Sequence, residues 1–202
     1  MKRHLLLVMV FLLAGFVWTG CQEPPTEEMA QAQQALTQAE GAEAATYAQT
    51  ELDAATAALD AANAEVKAQG ERFALARNYE HAQELLTQAQ EKAEAARTAA
   101  VAGKAKAKAE AEAALAEVEA ALDAASADLT ALGECPKKPK GFAADLETLT
   151  GRLEALSMEV APIEAAIAGE SFSDATALAK TLSDTLSTFG ADLTSARETL
   201  GC

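Results

Sequence analysis

Apolar side chains recur three and four residues apart over most of the chain, and the phase of that recurrence predicts its helices. Leu52, Ala55, Leu59, Ala62, Val66 and Phe73 form one heptad seam. Ala82, Leu86, Ala89, Ala93, Ala96 and Ala100 form a second, one residue out of step with the first. The phase change requires an interruption, either at Gly70 or in the stretch Ala76 to Tyr79, where Asn78 can cap the next helix. Because the first seam continues past Gly70 to Phe73, the turn is placed at Ala76 to Tyr79. The pattern predicts a helix from about Thr26 to about Leu75. A second helix of similar length follows through Leu115, Val118, Leu122, Ala125, Leu129 and Leu132, with Gly103 a candidate bend. Two such helices fold back as an antiparallel hairpin.

The segment Cys135-Pro136-Lys137-Lys138-Pro139-Lys140-Gly141 cannot continue a helix and marks a boundary. Beyond it, Phe142, Leu146, Leu149, Leu153, Leu156, Val160, Ile163 and Ile167 alternate by four and three, the strongest seam in the chain. Pro162 lies inside this seam and predicts a kink or a restart. Gly169 to Ser173 reads as a turn, with Ser171 or Ser173 as cap. Leu182, Leu186, Phe189, Leu193, Ala196 and Leu200 then mark a last helix. The fold class is all-α and bundle-like: a long antiparallel hairpin over residues 21–133, then a shorter antiparallel hairpin over residues 134–202.

The first twenty residues follow another logic. Met1-Lys2-Arg3-His4 is basic, Leu5 to Val17 is unbroken apolar, and Trp18-Thr19-Gly20 precedes Cys21. An apolar run of this length suits a secretory signal core and is short of the ~20 residues that span a bilayer. The segment resembles a bacterial lipoprotein signal, although Trp18 stands where that pattern usually has Leu. The resemblance implies that residues 1–20 are removed and that Cys21 carries the lipid, a palmitate-type acyl anchor on its sulfur and amine. Membrane attachment through Cys21 is then stable, because several acyl chains each bury many methylenes. Gln22 stands where lipoproteins retained at the inner membrane commonly have Asp. The expected location is therefore the periplasmic face of the outer membrane.

Three cysteines are present. With Cys21 assigned to lipid, Cys135 and Cys202 remain as an even pair in a compartment where disulfides persist. An antiparallel hairpin turning near Gly169 brings the chain before Phe142 beside the chain after Leu200, so Cys135 and Cys202 are expected to be bonded.

Composition narrows the remaining chemistry. The chain has 16 basic and 31 acidic residues, a net charge of −15. Loss of Lys2 and Arg3 with the leader leaves 14 basic against 31 acidic, or −17. Nucleic acid is repelled by such a chain. Of the 112 residues from Gln22 to Gly133, 39 are Ala, a composition suited to long helices. After the signal the one histidine is His81, which excludes His-based triads and multi-histidine metal sites; beside Glu80 and Glu84 it reads as solvated. The glutamate pairs Glu91 and Glu94, or Glu110, Glu112, Glu117 and Glu119, would need a pocket to shift a pKa before serving in acid/base work. Lys104, Lys106 and Lys108 do not share one face and read as a solvated surface. No phosphate loop or calcium loop occurs. No enzyme, cofactor or metal site is expected.

One stretch resembles a known family. Ala42 to Ala45, Tyr47, Glu51-Leu52-Asp53-Ala54-Ala55, Leu59, and Phe73-Ala74-Leu75-Ala76-Arg77-Asn78-Tyr79-Glu80-His81-Ala82 leading to Leu85-Leu86 and Ala89 are similar to the bacterial lipoproteins of domain of unknown function 4398. The resemblance covers Met29 to Ala102 and implies an alanine-rich hairpin in the cell envelope without implying an activity. Two functional classes follow: a structural spacer or protein-interaction scaffold, and a helical-repeat-like module that binds a peptide or ligand. Attachment to peptidoglycan in the manner of murein lipoprotein would use a C-terminal Lys, and the chain ends Gly201-Cys202. An Ala seam between two helices buries too little apolar area to offset the ordering of both. The first hairpin is thus expected to recruit helices from the C-terminal hairpin, from another copy, or from a protein partner.

Overall fold

The structure, a computed structural model, describes residues 22–202; the leader and the lipid site expected at Cys21 lie outside the described residues. The fold is all-α, and among the described residues there is no strand. The helices are α1 (Thr26–Gly41), α2 (Ala44–Tyr47), α3 (Gln49–Gly70), α4 (Glu80–Gly133), α5 (Phe142–Met158), α6 (Val160–Ala168) and α7 (Phe172–Leu200), with a 3₁₀ turn at Ala74–Ala76. They form two compact units that divide between Gly103 and Lys104, inside α4.

In the first unit the expected helix from Thr26 to Leu75 is broken twice. Glu43 adopts a left-handed conformation (φ 63°), and Ala48 (φ −152°) leaves the helical region before α3 begins. Between these breaks the chain reverses. Ala32 and Leu36 of α1 share a core with Ala55, Leu59 and Ala62 of α3 and with Leu86, Ala89 and Ala93 of α4. Ala39, Ala44 and Ala48 pack with Ala96 and Ala100. The Gln83 and Gln90 side-chain amides donate to Glu28 Oε1 at 3.2 Å and to the Glu28 carbonyl at 3.3 Å, while Ala39 lies with Ala96 and Ala100, so α1 runs alongside α4 in the same direction. The result is a three-helix bundle, α1 up, α3 down, α4 up. The additional helix that the Ala seams need comes from α1 of the same unit, which corrects the expectation that it must come from elsewhere. Small Ala side chains allow close helix approach, and with three helices each seam faces two neighbours instead of one.

The second seam behaves as its spacing predicts: Ala82, Leu86, Ala89, Ala93, Ala96 and Ala100 are all at most 2% exposed. The first seam does not extend as read. α3 stops at Gly70, and Phe73 is 76% exposed instead of buried. α4 continues to Gly133 through Gly103. A Cβ there would lie 2.7 Å from the Tyr47 carbonyl oxygen, so glycine is needed where the connection between α2 and α3 crosses α4.

In the second unit, residues from Lys104 to Gly133 of α4 pack with α5 and α7, and α6 packs on α7. Ala125, Leu129, Leu132 and Cys135 share one core with Phe189 and Leu193 of α7, flanked by Phe142, Leu146, Leu149, Leu153 and Leu156 of α5. The Pro-rich segment before Gly141 is therefore a connection within this unit, and the C-terminal hairpin is completed by α4 into a second three-helix arrangement. Ion pairs Lys104–Glu170 (2.7 Å) and Arg197–Asp128 (2.9 Å) show α7 running in the direction of α4. Pro162 restarts the helix instead of kinking it. α5 ends at Met158, and Pro162 falls in the first turn of α6, where its missing N–H leaves no helical acceptor unmet. Ser171 occupies the cap position before α7, but its hydroxyl makes no capping bond.

Candidate functional site

Two surfaces are built with enough definition to carry a function: the loop between α3 and α4, and a groove on the second unit. The loop is organised by Gln69, which is 9% exposed. Its Oε1 accepts from the Asn78 backbone N–H and from Arg72 Nη1, each at 3.1 Å, and its Nε2 donates to Glu65 Oε1 at 2.7 Å. Arg77 lies across the end of α3, where Nη2 donates to the Gly70 carbonyl at 2.9 Å and Nε to the Arg72 carbonyl at 3.1 Å. A cation over orphan carbonyls at a helix C-terminus is favourable for the helix dipole. Asn78 Oδ1 accepts from Glu80 N–H at 2.8 Å and caps α4. The Ala76 N–H closes the 3₁₀ turn on the Phe73 carbonyl at 2.7 Å.

With the backbone so held, Phe73 and Leu75 are presented outward, 76% and 73% exposed. Tyr79 is buried beneath the loop at 2% exposure, and its hydroxyl has no hydrogen-bond partner among the described residues. Its backbone N–H donates to Gln22 Oε1 at 2.9 Å. Pro25 is buried. The stretch from Gln22 to Pro25 is thus laid against the bundle, and the described chain begins at the same end as this loop. Sequence reasoning placed the turn at Ala76 to Tyr79 with Asn78 as cap, and Asn78 does cap α4; it took Phe73 for a seam residue and so missed that the loop begins just after Gly70. The readable signal was Arg72 and Arg77 bracketing two large apolar residues immediately after Gly70.

The groove of about 570 Å³ in the second unit runs between α4 and α5, past Leu122, Ser126 and Leu129 on one side and Leu146, Leu153 and Ser157 on the other. At one end of the second unit Cys135 and Cys202 form a disulfide, with Cα atoms 5.7 Å apart. Cys135 is buried, and Cys202 follows Gly201, whose left-handed conformation (φ 70°) ends α7. The bond pins the C-terminus of α7 to the chain leaving α4.

The titratable residues singled out in the sequence are dispersed on the surface. His81 lies 3.6 Å from Glu84, both well exposed. Glu94 pairs with Arg97 through two contacts of 3.0 and 2.6 Å, and the Arg97 hydrogen bond holds its carboxyl below the usual glutamate range. Lys106 and Lys108 pair along α4 with Glu110 and Glu112 at 3.6 and 3.8 Å. Lys104 instead reaches Glu170, whose pKa it lowers by hydrogen bonding first and by charge second. Among the described residues no group of three or more His, Cys, Asp or Glu side chains is placed to hold a metal, and no helix is long and apolar enough to cross a membrane. No family model, curated protein or solved structure matches the chain.

Proposed function

We propose that the chain is a non-enzymatic envelope lipoprotein, anchored through Cys21 to the periplasmic face of the outer membrane, that serves as a structural spacer or protein-interaction scaffold. The observation that carries this reading is the leader: a basic start, the apolar stretch Leu5 to Val17, and Thr19-Gly20-Cys21. Two features support it. The folded body starts immediately after that cysteine, with Gln22 already bonded to Tyr79. The charged side chains singled out in the sequence are paired or solvated on Ala-rich helices. The similarity of Met29 to Ala102 to the bacterial lipoproteins of domain of unknown function 4398 points the same way. Without a single helix from Thr26 to Leu75, the spacer is a bundle: α3, at 22 residues, is ~33 Å long at 1.5 Å per residue. The test is Cys21→Ser, which should release the protein from membranes or leave the leader uncut. Unchanged partitioning into detergent at mature size would defeat the reading.

A second reading, a periplasmic peptide- or ligand-binding module, is favoured by the open groove between α4 and α5. Its leucines and hydroxyl side chains could receive an amphipathic segment of another protein. Crosslinking from a photoreactive residue at Ser126 in intact envelopes distinguishes the two, because a scaffold engaged elsewhere gives no product there.

A further inference from the structure

We propose that the loop Glu71 to Arg77 is a membrane-contacting tip, with Phe73 and Leu75 entering the interfacial layer of the same bilayer that holds the acyl chains on Cys21. The proposal rests on the lipoprotein reading above. An apolar ring and an isobutyl group displayed in water are costly, and their exposure here is enforced by structure. Gln69, Arg77 and Asn78 fix the backbone on both sides of the tip through hydrogen bonds of 2.8 to 3.1 Å. The side chains therefore cannot fold back without breaking that network.

The occupant follows from where the chain enters the bundle. Gln22 Oε1 accepts the Tyr79 N–H at 2.9 Å, only a few residues from Phe73 along the chain. Cys21 directly precedes Gln22 in the sequence. Acyl chains on Cys21 would hold this end of the first unit near the bilayer. A second copy is a poorer occupant, since each mature chain carries a charge of −17 (14 basic against 31 acidic) and like charges repel. The arginines of the tip are committed to backbone and amide oxygens, and Glu71 and Glu80 flank it. Insertion is therefore apolar and needs no anionic lipid, as for the apolar side of an interfacial helix.

Tryptophan makes the test direct. Trp18 is the one tryptophan of the chain and leaves with the leader, so a new tryptophan is a unique reporter. Full-length protein carrying Phe73→Trp, Leu75→Trp or, as control, Val101→Trp is purified from membranes and reconstituted into phosphatidylcholine vesicles. Val101 is 61% exposed and follows Ala100, which packs at the opposite end of the first unit. The mature N-terminus is weighed by mass spectrometry. The tryptophans of Phe73→Trp and Leu75→Trp should emit to the blue and be quenched several-fold more strongly by bromine-bearing acyl chains than that of Val101→Trp. Equal quenching at all three positions in lipidated, vesicle-bound protein overturns the insertion and leaves the lipoprotein reading intact. A blue shift that depends on protein concentration and ignores bromine assigns the tip to a second copy and also overturns the insertion. An unacylated Cys21 defeats the lipoprotein reading and the insertion together.

Discussion

Replacing Gly103 by alanine sets two opposed effects against each other at one atom. Gly103 is a helical residue within α4. By propensity and by restriction of the unfolded chain, Ala should be favoured there by ~1 kcal/mol. The added Cβ, however, would stand 2.7 Å from the Tyr47 carbonyl oxygen and 3.0 Å from Tyr47 Cβ, against the ~3.5–4.0 Å at which non-bonded carbon atoms rest. Tyr47 is held by its own N–H on the Glu43 carbonyl at 3.1 Å, and Ala48 by the Ala44 carbonyl at 2.8 Å. The crossing must therefore open as a unit. Overpacking of this kind costs ~1–3 kcal/mol, which leaves Gly103→Ala between neutral and ~2 kcal/mol destabilised after the propensity gain. Gly41→Ala is the control: it is helical, in the same unit, and has nothing within 4 Å of its Cβ position. It should keep the propensity gain of up to ~1 kcal/mol without the clash, so the two variants should differ by ~1–3 kcal/mol. The two tyrosines of the chain, Tyr47 and Tyr79, both lie in the first unit, so tyrosine emission of protein lacking the leader follows that unit alone. In urea, the midpoint should fall for Gly103→Ala relative to Gly41→Ala with the slope m unchanged. If Gly103→Ala proves as stable as Gly41→Ala, the close crossing does not exist in solution, and the three-helix arrangement of the first unit loses its main geometric support.

Other expectations are as specific. Reducing the Cys135–Cys202 bond, which closes a loop with sequence separation 67, should cost the second unit up to ~4 kcal/mol in the chain-entropy model; a circular-dichroism melt unchanged by reductant would contradict it. Phe189→Ala removes a ring with no exposed surface that lies 5.2 Å from the Arg152 guanidinium, and should destabilise by ~3–5 kcal/mol in urea titration. Gln69→Leu leaves the Asn78 N–H without its acceptor and should cost ~1–3 kcal/mol on the tyrosine-detected transition; a smaller loss would mean that water replaces the amide. Glu94 and Glu170 have folded pKa values below the ordinary 4.5. Their contribution is thus fully present above pH 4.5 and is lost as pH falls through the lowered values. Glu170→Gln should flatten part of the acid-side decline in stability, and an unchanged pH profile would show the Lys104 contact to be inconsequential.

Helix identity and most core positions were legible because 3–4 spacing survives even when the apolar residue is only Ala. The run from Ala82 to Ala100 and the run from Leu182 to Leu193 are buried as read. The reversal at Gly41 to Ala48 was not legible. It contains no proline, its left-handed residue is Glu43, a poor left-handed former, and alanine on both sides favours helix regardless of direction. Gly41, together with the seam Ala32, Leu36 and Ala39 preceding it, was the usable signal. The loop was misread because Phe73 falls on the heptad by coincidence of spacing. Periodicity reports which residues could share a face; it does not report where the backbone stops being a helix, which here is marked by the bonds of Arg77 to the Gly70 and Arg72 carbonyls.

If the chain is secreted as proposed, the pairing of Cys135 with Cys202 also sets an order of events for its passage, amino end first, through a membrane. The first unit, complete at Gly103, has all its partners as soon as it emerges. Cys135 would then wait as a thiol until Cys202 had followed it, so the second unit could be locked only after residue 202 had crossed. During that interval an oxidant has one other cysteine to offer it, Cys21, and acylation of that sulfur would remove the competing partner before the mispairing could form.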